Sequence, residues 1–367
     1  MPTPQDLHYM TRALQLAAQG TTTTHPNPRV GCVLVRDNTV VGEGWHLRAG
    51  EPHAEVHALR AAGHAAHGAT AYVTLEPCSH HGRTPPCADA LIAAGVAHVV
   101  IAMLDPNPLV AGQGVARLQA TGITVTVGVL EAQAGVLNRG FIMRMTQGRP
   151  FVRIKMGMSL DGRIAAADGS SQWITGSAAR ADVHRLRAEC GAVLTGIATV
   201  LADDPQLTVR LPSTQLCPAA LPQAGIAENI QPMLRSRPPA EGGLNVPQPY
   251  RIVLDTHARL PATAKVIGED ARCLWLTGIA ASTPLAAQVI ATLNGRLDLH
   301  TALAHLGSLG INEILVEAGS TLTGAFIAAG LADEIILYVA PLLLGGDGKG
   351  VFDLPALRSL NEAIPLK

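Results

Sequence analysis

The sequence lacks the marks of several protein classes. Its 27 Lys and Arg nearly balance 28 Asp and Glu over 367 residues, for a formal net charge of −1. No basic stripe runs along it, and a dedicated nucleic-acid binder carries such a footprint, so that class is disfavoured and small molecules are the expected partners. There is no run of about 18 apolar residues to span a membrane. Met1–Gly20 has neither the charged start nor the hydrophobic stretch of a secretory leader. Of the six cysteines, Cys32, Cys190, Cys217 and Cys273 are dispersed, as reduced thiols in cytoplasm are. No internal repeat occurs, and no G-x-G-x-x-G follows a first strand, which removes the Rossmann fingerprint. The length exceeds what one core usually supports, so two domains are expected.

What is present is one metal-ligand pattern split between two segments. His53-Ala54-Glu55 is followed by Pro77-Cys78 and then Cys87. One imidazole and two thiolates make a three-ligand zinc centre with an open fourth position, the catalytic arrangement. Such a centre brings a water's pKa toward neutrality. Glu55 is not a ligand in this reading; it takes the water's proton and delivers it to a ring nitrogen and the departing amine. Residues two apart do not share a helix face, so His53 and Glu55 converge only if the metal lies off the first turn of a helix predicted over His53–Ala62. Cys87 opens a second predicted helix, Cys87–Ala94, where free N–H groups favour a thiolate. H-A-E, then P-C and a second Cys, matches the zinc-deaminase signature. The usual P-C-x-x-C is replaced by a longer Cys78-to-Cys87 segment, in which His80 and His81 compete with His53 as ligands on paper; the deaminase pattern favours His53.

Periodicity supplies the frame. Leu7, Met10, Leu14 and Ala17 recur at helical spacing, and Gly31–Val35 and Thr39–Gly42 flank Asp37-Asn38 as a hairpin. Strands are predicted at Thr70–Leu75, Val99–Leu104 and Ile123–Val127, with a helix at Gln113–Ala120. This alternation predicts an α/β sandwich with a mixed sheet. Met143–Pro150 is polar, ends in Gly148 and Pro150, and precedes a fresh strand, so the domain boundary is set there: residues 1–148 and 149–367. The second domain alternates again, with strands at Phe151–Met158, Ala192–Thr195, Arg251–Leu254, Cys273–Leu276, Glu313–Val316 and Glu334–Val339 and helices at Ala178–Cys190 and Thr321–Ala329. Residues 211–249 are rich in Pro, Gln, Ser and Ala with little periodicity and are expected to be a surface insertion. Glu317 to Gly324 forms a strand end, a turn and a helix start whose N–H groups can cradle a pyrophosphate.

The first half resembles the deaminase domain of the RibD family of bifunctional riboflavin-biosynthesis proteins, through Thr24-His25-Pro26-Asn27-Pro28, the H-A-E and the S-H-H-G-R-T-P-P segment between the cysteines. The second half resembles the family's reductase domain through Lys155, Ser159-Leu160-Asp161-Gly162, Gln172-Trp173-Ile174-Thr175, Leu201-Ala202-Asp203-Asp204-Pro205 and Val316-Glu317-Ala318-Gly319. The resemblance implies a cytidine-deaminase-like α/β/α sandwich followed by a dihydrofolate-reductase-like α/β domain. It implies one Zn2+ per deaminase domain, NADPH for the reductase, a phosphoribosylaminopyrimidine substrate and a homo-oligomer. By the same carry-over Gly157, Trp173, Thr199, Asp203, Gly319, Ser320, Thr321, Leu322, Thr323, Gly324 and Ala325 line the NADPH site. Arg187 and Arg210, with Ser171, hold the substrate's phosphate, a task suited to the guanidinium fork. Lys155, Asp203 and Glu317 lie nearest the sugar, and Asn27 and Leu207 complete the substrate contacts. Without the resemblance, Arg180, His184 and Arg187 on one helix face read as a solvated surface.

Two rival readings are a nucleoside or tRNA deaminase with an unrelated C-terminal domain, and a non-enzymatic zinc-stabilised module. The long inter-cysteine segment and neutral charge oppose the first. Glu55 opposes the second, because a structural zinc site fills four protein ligands and has no use for an adjacent base. Against the family pattern the chain stops at Lys367: either the terminus is shortened and a final edge strand is missing, or the match to the family drifts there.

Overall fold

Asp37 and Asn38 both adopt left-handed backbone, with φ of 50° and 62°. A two-residue type I′ turn requires this at both central positions, and Asp and Asn tolerate it best. In the computed structural model, which describes residues 2–79, 85–108, 110–210, 246–283, 285–356 and 358–366, that turn joins β1 (Gly31–Arg36) to β2 (Thr39–Trp45). β1 pairs antiparallel on its other edge with β3 (Thr70–Val73), while β3, β4 (His98–Ile101) and β5 (Thr124–Val127) run parallel. The result is a mixed sheet in the order β2-β1-β3-β4-β5.

Strand alternation divides the first core into two layers. Val33 and Val35 pack with Met10, Leu14, Leu137 and Phe141, beneath α1 (Pro4–Ala18), α5 (Glu131–Leu137) and α6 (Arg139–Gln147). Cys32 and Leu34 face Ala54, Ala58, Leu91 and Leu118, from α2 (Ala54–Ala62), α3 (Cys87–Ala93) and α4 (Gln113–Ala120). Two close approaches fix the helices on the sheet. A Cβ at Gly31 would come 2.0 Å from the Ala13 carbonyl oxygen, and one at Gly44 would come 2.5 Å from that of Ala54. The second approach seats the N-terminus of α2, and with it the H-A-E triplet.

The chain divides into compact units at Pro150/Phe151; the second comprises Phe151–Arg210, Gln248–Leu306 and Glu313–Lys367, while Gly307–Asn312 group with the first. Its strands are β6 (Phe151–Ser159), β7 (Arg163–Ala165), β8 (Ala192–Gly196), β9 (Tyr250–Asp255), β10 (Cys273–Thr277), β11 (Gln288–Val289), β12 (Thr292–Leu293), β13 (Arg296–Leu297), β14 (Glu313–Val316), β15 (Glu334–Ala340) and β16 (Lys349–Gly350). The main sheet runs β11-β10-β9-β8-β14-β6-β15, and every neighbouring pair is parallel. β14 is buried at every position, as a strand covered on both faces must be. The helices are α7 (Ser177–Cys190), α8 (Ile197–Asp203), α9 (Leu299–Ser308) and α10 (Ser320–Ala328).

The polar stretch expected as linker over Met143–Pro150 is helical through Gln147. Thr146 and Gln147 are exposed on α6, which buries Gly140 and Phe141 and stops at Gly148 in the left-handed conformation, φ 69°. Helices α5, α8 and α9 were not anticipated. Residues 211–245, most of the expected insertion, lie outside the described residues, as do His80 and His81. Among the described residues no helix is long and apolar enough to cross a membrane.

Candidate active sites

His53 is the N-cap of α2 rather than its first helical residue. That extended backbone frees its ring from the helix face, so it meets thiols delivered from the end of β3 and the start of α3. The ligand atoms of His53, Cys78 and Cys87 all lie within 4.8 Å of one another. His53 Nδ1 is 3.7 Å from Cys78 Sγ and 3.3 Å from Cys87 Sγ. A tetrahedral zinc with ordinary bond lengths spaces its nitrogen and sulfur ligands by about 3.3–3.8 Å, so the donor set and its spacing fit that ion. The Cys87 N–H donates to Cys78 Sγ at 3.3 Å. The thiol of Cys78 is pushed down chiefly by a hydrogen bond from Cys87, and that of Cys87 is pushed up by the same bond and by burial. A bound divalent cation would take both as thiolates.

Glu55, in the first turn of α2, is 3% exposed. Its Oε2 has no partner. Burial raises its pKa above the ordinary glutamate range, with His53 partly offsetting the effect. A buried carboxyl beside a metal-ligand cluster, with an unengaged oxygen, is equipped to carry protons there. Asn27 sits at the same site through His46, which sequence reasoning missed. The His46 ring is 2% exposed and stands edge-on to His53 with centroids 5.3 Å apart. Its Nδ1 lies 3.1 Å from the Pro52 carbonyl and its Nε2 3.1 Å from the Asn27 amide nitrogen. A lone His inside a strand-to-loop segment gives no sequence signal for such a role.

In the second unit a cavity of about 1070 Å³ opens over the carboxyl ends of β8, β9 and β14, where open parallel sheets bind ligands. Gly157, Thr199, Asp203, Gly319, Thr321, Leu322 and Ala325 line it, as do Lys155, Ser171, Arg187, Leu207 and Glu317. Gly319 caps α10 without a side-chain hydrogen bond, and a Cβ there would meet nothing within 4 Å. The first-turn N–H groups therefore lack intrahelical partners beside open space, which fits an anionic pyrophosphate. Ser320 and Thr323 are buried within α10. Gly324 serves packing: a Cβ would come 2.2 Å from the Asp353 carbonyl oxygen. Trp173 is 71% exposed, with the Arg180 guanidinium 4.6 Å from its ring centre.

Arg187, expected as a phosphate grip, has its fork on Glu317, with Nε to Oε1 at 2.5 Å and Nη2 to Oε2 at 3.0 Å; its Nη1 donates to the Thr208 carbonyl at 2.9 Å. Lys155 Nζ stands 3.8 Å from the same carboxylate. Burial pushes Glu317 up, but Arg187 and then Lys155 outweigh it and hold the carboxyl below the usual range. Two cations on one anion leave a net positive wall. Arg210 is exposed, and its backbone N–H points at His184 Nδ1, 3.4 Å away. Burial and the Arg187 and Arg210 charges hold His184 below its usual pKa. This corner calls for an anion.

The family model for the RibD C-terminal domain matches residues 150–365, and the one for the cytidine and deoxycytidylate deaminase zinc-binding region matches residues 3–103. The riboflavin biosynthesis protein RibD of Escherichia coli is 50% identical over 368 residues, covering 99% of this chain and 95% of that protein. This chain belongs to the RibD family. RibD of Haemophilus influenzae is 46% identical, covering 98% of this chain and 92% of its own. The solved RibD of Acinetobacter baumannii, form 2, superposes with a TM-score of 0.83 at 45% identity, covering 98% and 93% of the two chains. A Thermotoga maritima structure described as a diaminohydroxyphosphoribosylaminopyrimidine deaminase/5-amino-6-(5-phosphoribosylamino)uracil reductase gives 0.79 at 35% identity, covering 98% and 93%. The chain is thus a bifunctional enzyme of riboflavin biosynthesis, with a cytidine-deaminase-like zinc-binding domain followed by a dihydrofolate-reductase-like domain that uses a nicotinamide cofactor.

Proposed function

We propose that residues 1–148 catalyse hydrolytic deamination of 2,5-diamino-6-(5-phosphoribosylamino)pyrimidin-4(3H)-one. Residues 149–367 then reduce the ribosyl group of 5-amino-6-(5-phosphoribosylamino)uracil to ribityl with NADPH. The observation that carries the reading is the junction of an N,S,S cluster with a buried, partly unengaged Glu55 in a chain that also holds a cavity with an open helix N-terminus. His53, Cys78 and Cys87 would hold zinc, which when bound makes water nucleophilic near neutral pH. Glu55 takes a proton from the attacking water and delivers it to the ring nitrogen, then takes the second proton from the new hydroxyl and passes it to the amine, so that ammonia leaves as the carbonyl forms. Asn27, fixed by His46, orients the pyrimidine. Near-zero net charge supports a small anionic substrate over nucleic acid.

In the second domain NADPH supplies the hydride. Gly157, Thr199, Asp203, Gly319, Thr321, Leu322 and Ala325 would bind it, with Trp173 nearby, while Lys155 and Glu317 orient the sugar and Ser171, Leu207 and Arg210 hold its phosphate end. Arg187 acts from behind, by fixing Glu317. Arg210→Ala is expected to weaken binding of the deaminated substrate by about 1.5–3 kcal/mol, the scale of a charge-assisted hydrogen bond, and to leave deamination unchanged. Steady-state kinetics on each half-reaction check this; equal losses in both would move Arg210 to a structural role.

The decisive experiment separates the two activities. A zinc chelator is expected to abolish deamination while NADPH oxidation, followed at the reduced nicotinamide absorbance, continues on already deaminated substrate. Loss of both reactions in a protein that stays folded would sink the two-site reading.

A further inference from the structure

Eight residues separate Cys78 from Cys87, against two in P-C-x-x-C. Two intervening residues fix a pair of sulfurs by themselves, whereas a segment of eight leaves its ends far more freedom. The two ends meet directly through the Cys87 N–H to Cys78 Sγ and the Ala88 N–H to the Cys78 carbonyl, at 3.3 and 3.1 Å, and α4 adds support by touching both cysteine segments. Ahead of Cys78, the 3% exposed Glu76 accepts from the N–H groups of Asp105 at 3.2 Å, Gly112 at 3.0 Å and Val115 at 3.2 Å. Its carboxylate thus lies at the N-terminus of α4, where the helix dipole favours it. Gly114 lets α4 press on the same stretch, since a Cβ would come 2.1 Å from the Pro77 carbonyl oxygen. Beyond Cys78, Arg117 of α4 donates from Nη1 to the Ser79 carbonyl at 3.4 Å. The same guanidinium grips Asp89 with Nε to Oδ1 at 2.5 Å and Nη2 to Oδ2 at 2.9 Å. Asp89 stands two residues after Cys87 on α3.

We infer that Glu76, Gly114 and Arg117 form a brace that helps set the Cys78–Cys87 spacing in place of a short loop, making Glu76 and Arg117 positioning residues for the metal site. The inference rests on the zinc reading of that site. Glu76→Gln keeps one acceptor oxygen but turns an amide N–H toward backbone donors, and Arg117→Gln releases Ser79 and Asp89.

Full-length zinc-loaded protein would be titrated with a chromogenic chelator. Each variant is expected to bind zinc ten- to a hundred-fold more weakly, the usual effect of disturbing the groups that orient metal ligands. Saturating zinc should restore deamination, Arg117→Lys should fall between Arg117→Gln and the parent, and NADPH oxidation should be unmoved. Unchanged zinc affinity in both variants, with only a lower melting temperature, would overturn the brace and leave these residues as ordinary packing. If Glu76→Gln fails to fold, the half-exposed Arg117 pair decides alone. Parent protein that takes up no zinc would overturn the metal reading itself, and the brace with it.

Discussion

Glu55→Gln is expected to keep its zinc and lose deaminase turnover by roughly two to four orders of magnitude, the usual worth of a positioned general acid and base. The amide has the shape of the carboxylate and leaves His53, Cys78 and Cys87 untouched, so the ligand cluster is left in place. What it cannot do is take a proton from water. The carboxylate is buried, with one oxygen unengaged, and among the described residues no second carboxyl joins the His53, Cys78 and Cys87 cluster to substitute for it. Metal content and rate must be measured on the same preparation, because loss of zinc would mimic loss of the base. A zinc-replete variant turning over near the parent rate would refute the assignment of Glu55 and return the cluster to a structural role.

The deaminase half was legible because metal chemistry dictates residue types at short spacing: H-A-E and P-C are local, and only Cys87 had to be reached across a variable segment. The hairpin was legible for an equally local reason, since Asp37-Asn38 is suited to left-handed backbone. The failures are non-local. α6 looked like a linker because its last turn carries the exposed Thr146 and Gln147, and its burial rests on Gly140 and Phe141 earlier in the helix. His46 offers no pattern at all; its role exists only where Pro52 and Asn27 meet its ring. Glu76 was read past because it adjoins Pro77-Cys78 yet acts on α4, a helix that begins at Gln113. Arg187 was legible as a cation, but its ion pair was not, since Glu317 is 130 positions away.

That pairing gives the second large effect. Arg187 and Glu317 have side chains each 10% exposed, and a buried carboxylate stripped of its guanidinium is left with a desolvated charge that Lys155, at 3.8 Å, only partly answers. Arg187→Ala is expected to destabilise the second unit by about 3–5 kcal/mol, the cost of breaking one side of a buried pair, and to abolish NADPH-dependent reduction while deamination persists. The pH dependence separates this cause from simple loss of packing. In the parent the folded-state pKa of Glu317 is depressed, so its contribution is fully present above the unfolded value of about 4.3 and is lost as pH falls through the lower folded value. Without Arg187, burial outweighs the remaining attraction and raises the carboxyl. The variant's deficit should then be largest near neutral pH and shrink as pH falls to about 4, where protonation removes the buried charge. Denaturant unfolding of parent and variant at both pH values reads the difference directly. A deficit of the same size at each pH would assign the loss to packing and release Arg187 to serve the substrate's phosphate after all.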